Sequence, residues 1–216
     1  MSRRLSLPVP GEELLERLAA SSRLGGLSGG PSRYDVLRVT FFDTTAGLLR
    51  DQRATLRLRQ TASGRQSLEL RRITAVNLEG VVEETLLAAP VLGGLYAALR
   101  EGSDLAVQVR QLVEPAALRP VLALDIDREI RELKTGWRGI PVHRVQFDRV
   151  VAHLHGMSTT YEDLTVTELA PSKVPLEQLA ERFRAQFGIV GDGLDTLERA
   201  RAALVGEAAP GRGDAT

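Results

Sequence analysis

The sequence predicts an α+β protein whose centre is a barrel or strongly curved antiparallel sheet. Three features predict it: a succession of runs with period two, a few helices at the start, middle and end of the chain, and no strand–helix alternation of the kind a parallel sheet needs. A length of 216 residues fits one large domain, or one with a small appendage, at about 150 residues per domain. The 28 basic and 28 acidic residues cancel, which argues against nucleic acid or an anionic membrane as partner for the whole protein. With 43% hydrophobic and 26% charged residues, a core can form and wholesale disorder is excluded. The absence of cysteine removes disulfides, thiolate metal sites and a cysteine nucleophile. No stretch approaches the ~20 apolar residues that span a bilayer, and the Met-Ser-Arg-Arg start lacks the apolar region of a secretory signal. A soluble, cytoplasmic protein is the expectation.

Element by element, Pro10-Gly11 leads into an acidic first turn and apolar Leu14, Leu15 and Leu18, which predicts a helix. It stops in Ser21-Ser22-Arg23-Leu24-Gly25-Gly26, followed by a Gly/Ser/Pro linker through Ser32. From Tyr34 the period changes to two, and a strand enters Phe42-Asp43-Thr44-Thr45. Thr55–Gln60 and Ser67–Arg72 read as a hairpin around Ser63-Gly64, and 80–86 as a shorter strand. A helix follows over Val91–Arg100. Pro120 opens a long run with Leu122, Leu124, Ile126 and Ile130 on one face and Asp125, Asp127, Glu129 and Arg131 on the other. A turn at Lys134-Thr135-Gly136 leads to a strand over Val142–Leu154, and a second turn to the last strand, Tyr161–Leu169. Leu176, Leu179, Phe183 and Phe187 then repeat at helical spacing until Gly188, and Asp195-Thr196 starts a final helix through Leu204. Residues 1–205 are expected to form one domain and 206–216 a disordered tail.

The strongest chemical signal is a basic strand face. Arg57 and Arg59 lie two apart and project from one side, opposite Leu56 and Leu58, and Arg71 can join them from the returning strand. Between Gly47 and Arg72 stand seven arginines and only Asp51 and Glu69, a local charge of +5. A guanidinium fork suits phosphate oxygens; an ordinary solvated strand face is the equal alternative. A second signal is acidic: Asp125 and Asp127 share a face, and Asp148 and Asp163 stand on other strands. Converging carboxylates could hold Mg2+ or Mn2+, although no fixed ligand spacing distinguishes them from surface or ion-paired acids. His143, His153 and His155 form no ligand pattern, and no Gly-rich phosphate loop, nucleophile elbow or zinc spacing is present.

Leu37-Arg38-Val39-Thr40-Phe41-Phe42-Asp43-Thr44, then Leu48-Leu49-Arg50 and Thr55-Leu56-Arg57-Leu58-Arg59, resembles the opening block of CYTH domains. These are the triphosphate tunnel metalloenzymes, which include inorganic and thiamine triphosphatases and class IV adenylyl cyclases. The order of the later pieces is similar too: Ser67–Arg71, Leu118-Arg119-Pro120-Val121, Phe147-Asp148-Arg149-Val150 and Leu197-Glu198-Arg199-Ala200. The resemblance implies an eight-stranded antiparallel barrel, a triphosphate tunnel with flanking helices, in which basic residues grip a triphosphate and acids hold a divalent ion. It implies phosphate contacts at Arg57, Arg59, Arg71 and Arg4, and an acid on the next strand at Glu83 or Glu84.

The sequence also departs from the family at positions that carry chemistry. The opening Glu-x-Glu-x-Lys becomes Ser2, Arg4 and Ser6; the basic residues expected after Arg-Pro-Val become Ala123, Asp125 and Asp127; and the late Glu-x-Glu-x-Glu becomes Asp163, Thr165 and Thr167. Three readings follow. One is a degenerate tunnel that binds a phosphorylated ligand or a protein partner without efficient triphosphate hydrolysis and with no resident cofactor. Another is an active triphosphatase that places Mg2+ or Mn2+ on Glu83, Asp125, Asp127, Asp148 and Asp163. The third is a structural or oligomerisation module whose tunnel is filled, Arg57, Arg59 and Arg71 pairing internally with Asp125 and Asp127.

Overall fold

The computed structural model describes residues 1–100, 102–135 and 139–206. The elements are β1 (Ser2–Val9), α1 (Glu12–Ala20), β2 (Arg23–Leu24), β3 (Leu27–Gly29), β4 (Arg33–Asp43), α2 (Leu48–Asp51), β5 (Ala54–Thr61), β6 (Gln66–Val76) and β7 (Val81–Pro90). They continue with α3 (Leu95–Arg100), α4 (Asp104–Leu112), β8 (Arg119–Lys134), β9 (Pro141–Leu154), β10 (Met157–Glu168), α5 (Leu176–Phe187) and α6 (Thr196–Val205). Eight strands close a barrel in the order β8-β4-β5-β6-β7-β1-β10-β9, with β9 returning to β8 and every pairing antiparallel. The expected eight-stranded barrel is thus present. Closure leaves no long free edge among these strands.

Pleating gives each strand an inward and an outward row. Outward Leu5, Leu7, Val9, Phe147, Leu164 and Val166 pack beneath α1 and α5, whose Leu15, Leu18, Leu176, Leu179 and Phe183 complete that layer. Outward Leu56, Leu68 and Leu70 are covered by α3 and α4 through Leu95, Leu99, Leu105 and Val109. A third cluster lies inside the barrel: Leu37, Val39 and Phe41 of β4, Leu122, Leu124 and Ile126 of β8, and Val150 and Ala152 of β9 close around Leu197 and Ala200 of α6. The last helix therefore occupies the lumen rather than the outer surface. Its start is fixed by a capping box between Asp195 and Glu198 and by a 2.8 Å hydrogen bond from the Thr55 hydroxyl to Asp195. Gly80 (φ +78°) and Gly191 let the chain pass close enough to deliver α6 there, because a Cβ on Gly80 would lie 2.9 Å from the Gly191 carbonyl carbon.

Several segments differ from the sequence expectation. The presumed linker contains the β2–β3 hairpin, turned by Gly25 and Gly26 with φ of 53° and 84°, the positive pair a type I′ turn requires. β1 is a strand that the reading of a leading helix passes over, and beyond Leu5 it pairs only with β10, so Pro8 costs no ladder bond on the other side. The single helix expected over 91–100 is a pair, the second begun by Ser103, whose hydroxyl accepts from the Ala106 amide. The expected turn at Gly136 and, from residue 207, the expected tail lie outside the described residues.

The Phe-Asp-Thr block has a structural explanation. Buried Asp43 accepts hydrogen bonds from the amides of Thr44 (2.7 Å), Leu49 (2.9 Å) and Arg50 (3.3 Å), tying α2 to the end of β4. Asp43→Ala leaves these donors unmatched and should lower stability by about 2–4 kcal/mol, read as a fall in the urea midpoint at unchanged slope. His143, buried beneath the segment that leads to α5, donates from Nε2 to the Val174 carbonyl at 2.8 Å while Nδ1 has no partner. Burial lowers its pKa despite the bond to Val174 and the charge of Glu168. The fold therefore favours neutral imidazole: its contribution is complete above the ordinary value of about 6.5 and is lost as pH falls toward the depressed one. The melting temperature should drop between pH 7.5 and 5.5 more steeply than in His143→Gln.

Candidate functional site: a self-paired tunnel

Arg57 and Arg59 point inward from β5 opposite Phe41 and Val39, and Glu69 and Arg71 point inward from β6. From β1 come Arg4 and Ser6, from β7 Glu84, from β9 Asp148, from β10 Asp163, and from β8 Arg128. The interior thus has an apolar wall on β4 and on parts of β8 and β9, and a charged wall on the remaining strands that continues through Arg128 of β8 and Asp148 of β9.

All of these charged groups except Arg59 pair within the lumen, with one another or with Arg199 of α6. Arg57 donates twice to Glu69, at 2.8 and 2.6 Å. Glu84 accepts from Arg4 on one oxygen and Arg71 on the other, both at 3.0 Å. Arg128 grips Asp148 with two bonds of 2.7 and 2.6 Å. Arg199, carried in by α6, donates to Ser6 at 2.8 Å and Asp163 at 2.5 Å, and holds Asp192 as well. Charge-assisted bonds of this length are the strong ones. The cavity between Arg4, Arg57, Arg71, Glu84 and the start of α6 is about 10 Å³, room for one water.

Electrostatics separate these groups. Burial pushes Arg71 down to about 9, reinforced by Arg57 and against the pull of Glu84. Glu69 is held below the ordinary carboxylate value because Arg57 and Arg71 outweigh its burial. Burial opposes the charge on Arg128, but Asp148 more than compensates and raises its pKa. Burial and the charges of Arg128 and Arg57 lower Arg59 as well, against the pull of Glu69 and Asp35. Its Nε has no hydrogen bond, as at Arg71, but where Arg71 bonds Glu84 at 3.0 Å, Arg59 makes, among the described residues, a single ion pair, with Asp35 at 3.5 Å.

The acids fall out differently from the sequence expectation. Asp125 faces the exterior, 3.7 Å from Arg38 and 3.0 Å from His153, and Asp127 shares that outer face and is exposed. Glu83 also points outward, toward Arg3 at 3.6 Å. The reason is pleat parity: Leu122, Leu124 and Ile126 take the inward row of β8, so odd-numbered neighbours must face out. Internal pairing does occur, but through Glu69 and Glu84 instead of Asp125 and Asp127. Of the proposed metal ligands only Asp148 and Asp163 face the lumen. They are cross-strand neighbours, yet Arg128 occupies both oxygens of one and Arg199 binds the other. Mg2+ and Mn2+ need free, converging oxygens, and among the described residues no three carboxylate or imidazole groups converge on an ion site. The donor set as it stands does not fit the ion that the family resemblance implies.

Arg128, Arg199 and Asp192 escape the sequence reading. Arg128 was legible as a charge continuing the apolar row of β8, two residues after Ile126; nothing in the sequence places Arg199 and Asp192 inside a barrel. The pairing predicts unequal effects for adjacent acids. Glu84→Gln, which weakens the hold on two buried guanidiniums, should cost about 3 kcal/mol, whereas Glu83→Gln on the exposed face should cost well under 1 kcal/mol, both measured by chemical denaturation.

The CYTH domain family model matches residues 7–197. Among solved structures, the chain is similar to a candidate adenylyl cyclase from Hippeastrum described as having a dominant triphosphatase activity, at 17% identity, TM-score 0.65, over 98% of this chain and 99% of that one. It is also similar to a candidate adenylate cyclase from Bacillus halodurans, at 13% identity, TM-score 0.57, over 92% and 98% of the two chains. No curated protein matches the chain significantly. At these identities the structures share the fold; the family model, spanning most of the barrel and reaching the start of α6, establishes that the chain belongs to the CYTH domain family.

Proposed function

We propose that this protein is a degenerate CYTH tunnel domain that binds a phosphorylated ligand through Arg59 without efficient triphosphate hydrolysis. The observation that carries the reading is the contrast between Arg59 and its neighbours. Arg4, Arg57, Arg71, Arg128 and Arg199 are committed to internal carboxylates. Arg59 is crowded by like charge, partly accessible and, among the described residues, paired only with Asp35 at 3.5 Å. An anion arriving there relieves the repulsion from Arg128 and Arg57 and gains a guanidinium with donors to spare.

Hydrolysis of a phosphoanhydride asks for charge neutralisation on the transferred group and an activated water. The inward acids are bonded to arginines and the cavity beside Arg57 and Arg71 has room for about one water, which argues against efficient hydrolysis. The triphosphatase activity described for the Hippeastrum structure makes tripolyphosphate the natural probe. Among the described residues no helix is long and apolar enough to cross a membrane, in keeping with a ligand taken from solution.

Tripolyphosphate at millimolar concentration should raise the melting temperature of the wild type by a few degrees through mass action, and this shift should vanish in Arg59→Ala. Phosphate release from tripolyphosphate or ATP with Mg2+ or Mn2+ should stay at the no-protein rate. Metal-dependent turnover abolished by Asp148→Asn would instead establish the active triphosphatase.

A further inference from the structure

We infer that Arg199 is the tunnel's resident cation, filling the position among Asp163, Asp192 and Ser6 where a divalent ion would otherwise bind. The inference deepens the reading of a lumen that works without a metal, and rests on it.

The three partners come from separate parts of the chain: Ser6 from β1, Asp163 from β10, and Asp192 from the segment leading into α6. Each sends oxygen toward one guanidinium. Nη1 lies 2.5 Å from Asp163 and 2.8 Å from Ser6, Nε lies 3.2 Å from Asp192, and Nη2 also bonds Asp192. The Ser6 hydroxyl is itself 3.5 Å from Asp163. Side-chain exposure is 6% for Arg199, 3% for Asp163 and 5% for Asp192, so the charges must be neutralised locally.

Two carboxylates and a hydroxyl, supplemented by water, are a sufficient hard-oxygen set for Mg2+ or Mn2+, which seldom use an all-protein cage. The neighbouring Tyr161 hydroxyl is buried with no partner of its own, a further oxygen on the same side of the lumen. Asp148, adjacent to Asp163 across the β9–β10 ladder, stays with Arg128 and is not required. Arg199 reaches the position because Leu197 and Ala200 seat α6 on the apolar wall, which turns Arg199, on the neighbouring face of the helix, toward the acids.

The test is Mn2+ binding to the full chain, followed by electron paramagnetic resonance and by thermal shift. Wild type should show no saturable Mn2+ binding. Arg199→Ala should bind Mn2+ at least tenfold more tightly and gain a saturable rise in melting temperature, and adding Asp163→Asn should remove both. Arg199→Lys, which keeps a cation on α6, should behave as wild type. If Arg199→Ala does not fold, Arg199→Gln is read in the same way, and folding restored by Mn2+ supports the inference, whereas none restored opposes it. A folded Arg199→Ala that ignores Mn2+ overturns this inference alone. Saturable binding by the wild type, as tight as in Arg199→Ala, overturns it together with the metal-free reading of the lumen.

Discussion

The structure depends on the pairing of guanidinium and carboxylate groups inside a closed barrel. Closure commits one face of every strand to the lumen, and a charge placed there loses water it cannot recover except from a partner. Arg57 with Glu69, Glu84 between Arg4 and Arg71, Arg128 with Asp148, and Arg199 with Asp163 and Asp192 meet this constraint by short, direct contacts. The lumen becomes a nearly neutral ionic lattice in which Arg4, Arg57, Arg71, Arg128 and Arg199 are held by carboxylates.

The position of α6 follows from the same arrangement. An apolar wall alone would accept any amphipathic helix, and an ionic wall alone would favour water. The helix presents Leu197 and Ala200 to the first and Arg199 to the second, so it seals the lumen while balancing its charge. Outside, α1 with α5 and α3 with α4 cover the outward rows of other strands. The outer face of β4 and β8, with Arg38, Asp125 and Asp127, carries the water-facing charges.

Much of the barrel was legible in the sequence because β4, β5 and β8 alternate apolar and polar residues over much of their length. The short elements were not. β2–β3 rests on a Gly-Gly turn that a linker also explains, and α2 depends on Asp43, whose capping role needs the folded β4 end. At the site, Arg57, Arg59 and Arg71 could be placed on one face from spacing. Asp125 and Asp127 could not be placed inside or out, since period two defines two faces without saying which is buried. Glu83 and Glu84 pose the same ambiguity in a shorter strand, and a register irregularity in β6 opposite them compounds it.

The long strands, the residues that share a face and the resemblance to a family follow from local periodicity and residue order. Which face became the lumen, which acids met the arginines and the entry of the final helix into the barrel follow only from the folded arrangement. Those outcomes turn on partners as much as 193 residues apart, as Ser6 and Arg199 are, and the physical cause is that a buried charge selects its neighbour by position in space rather than in the chain.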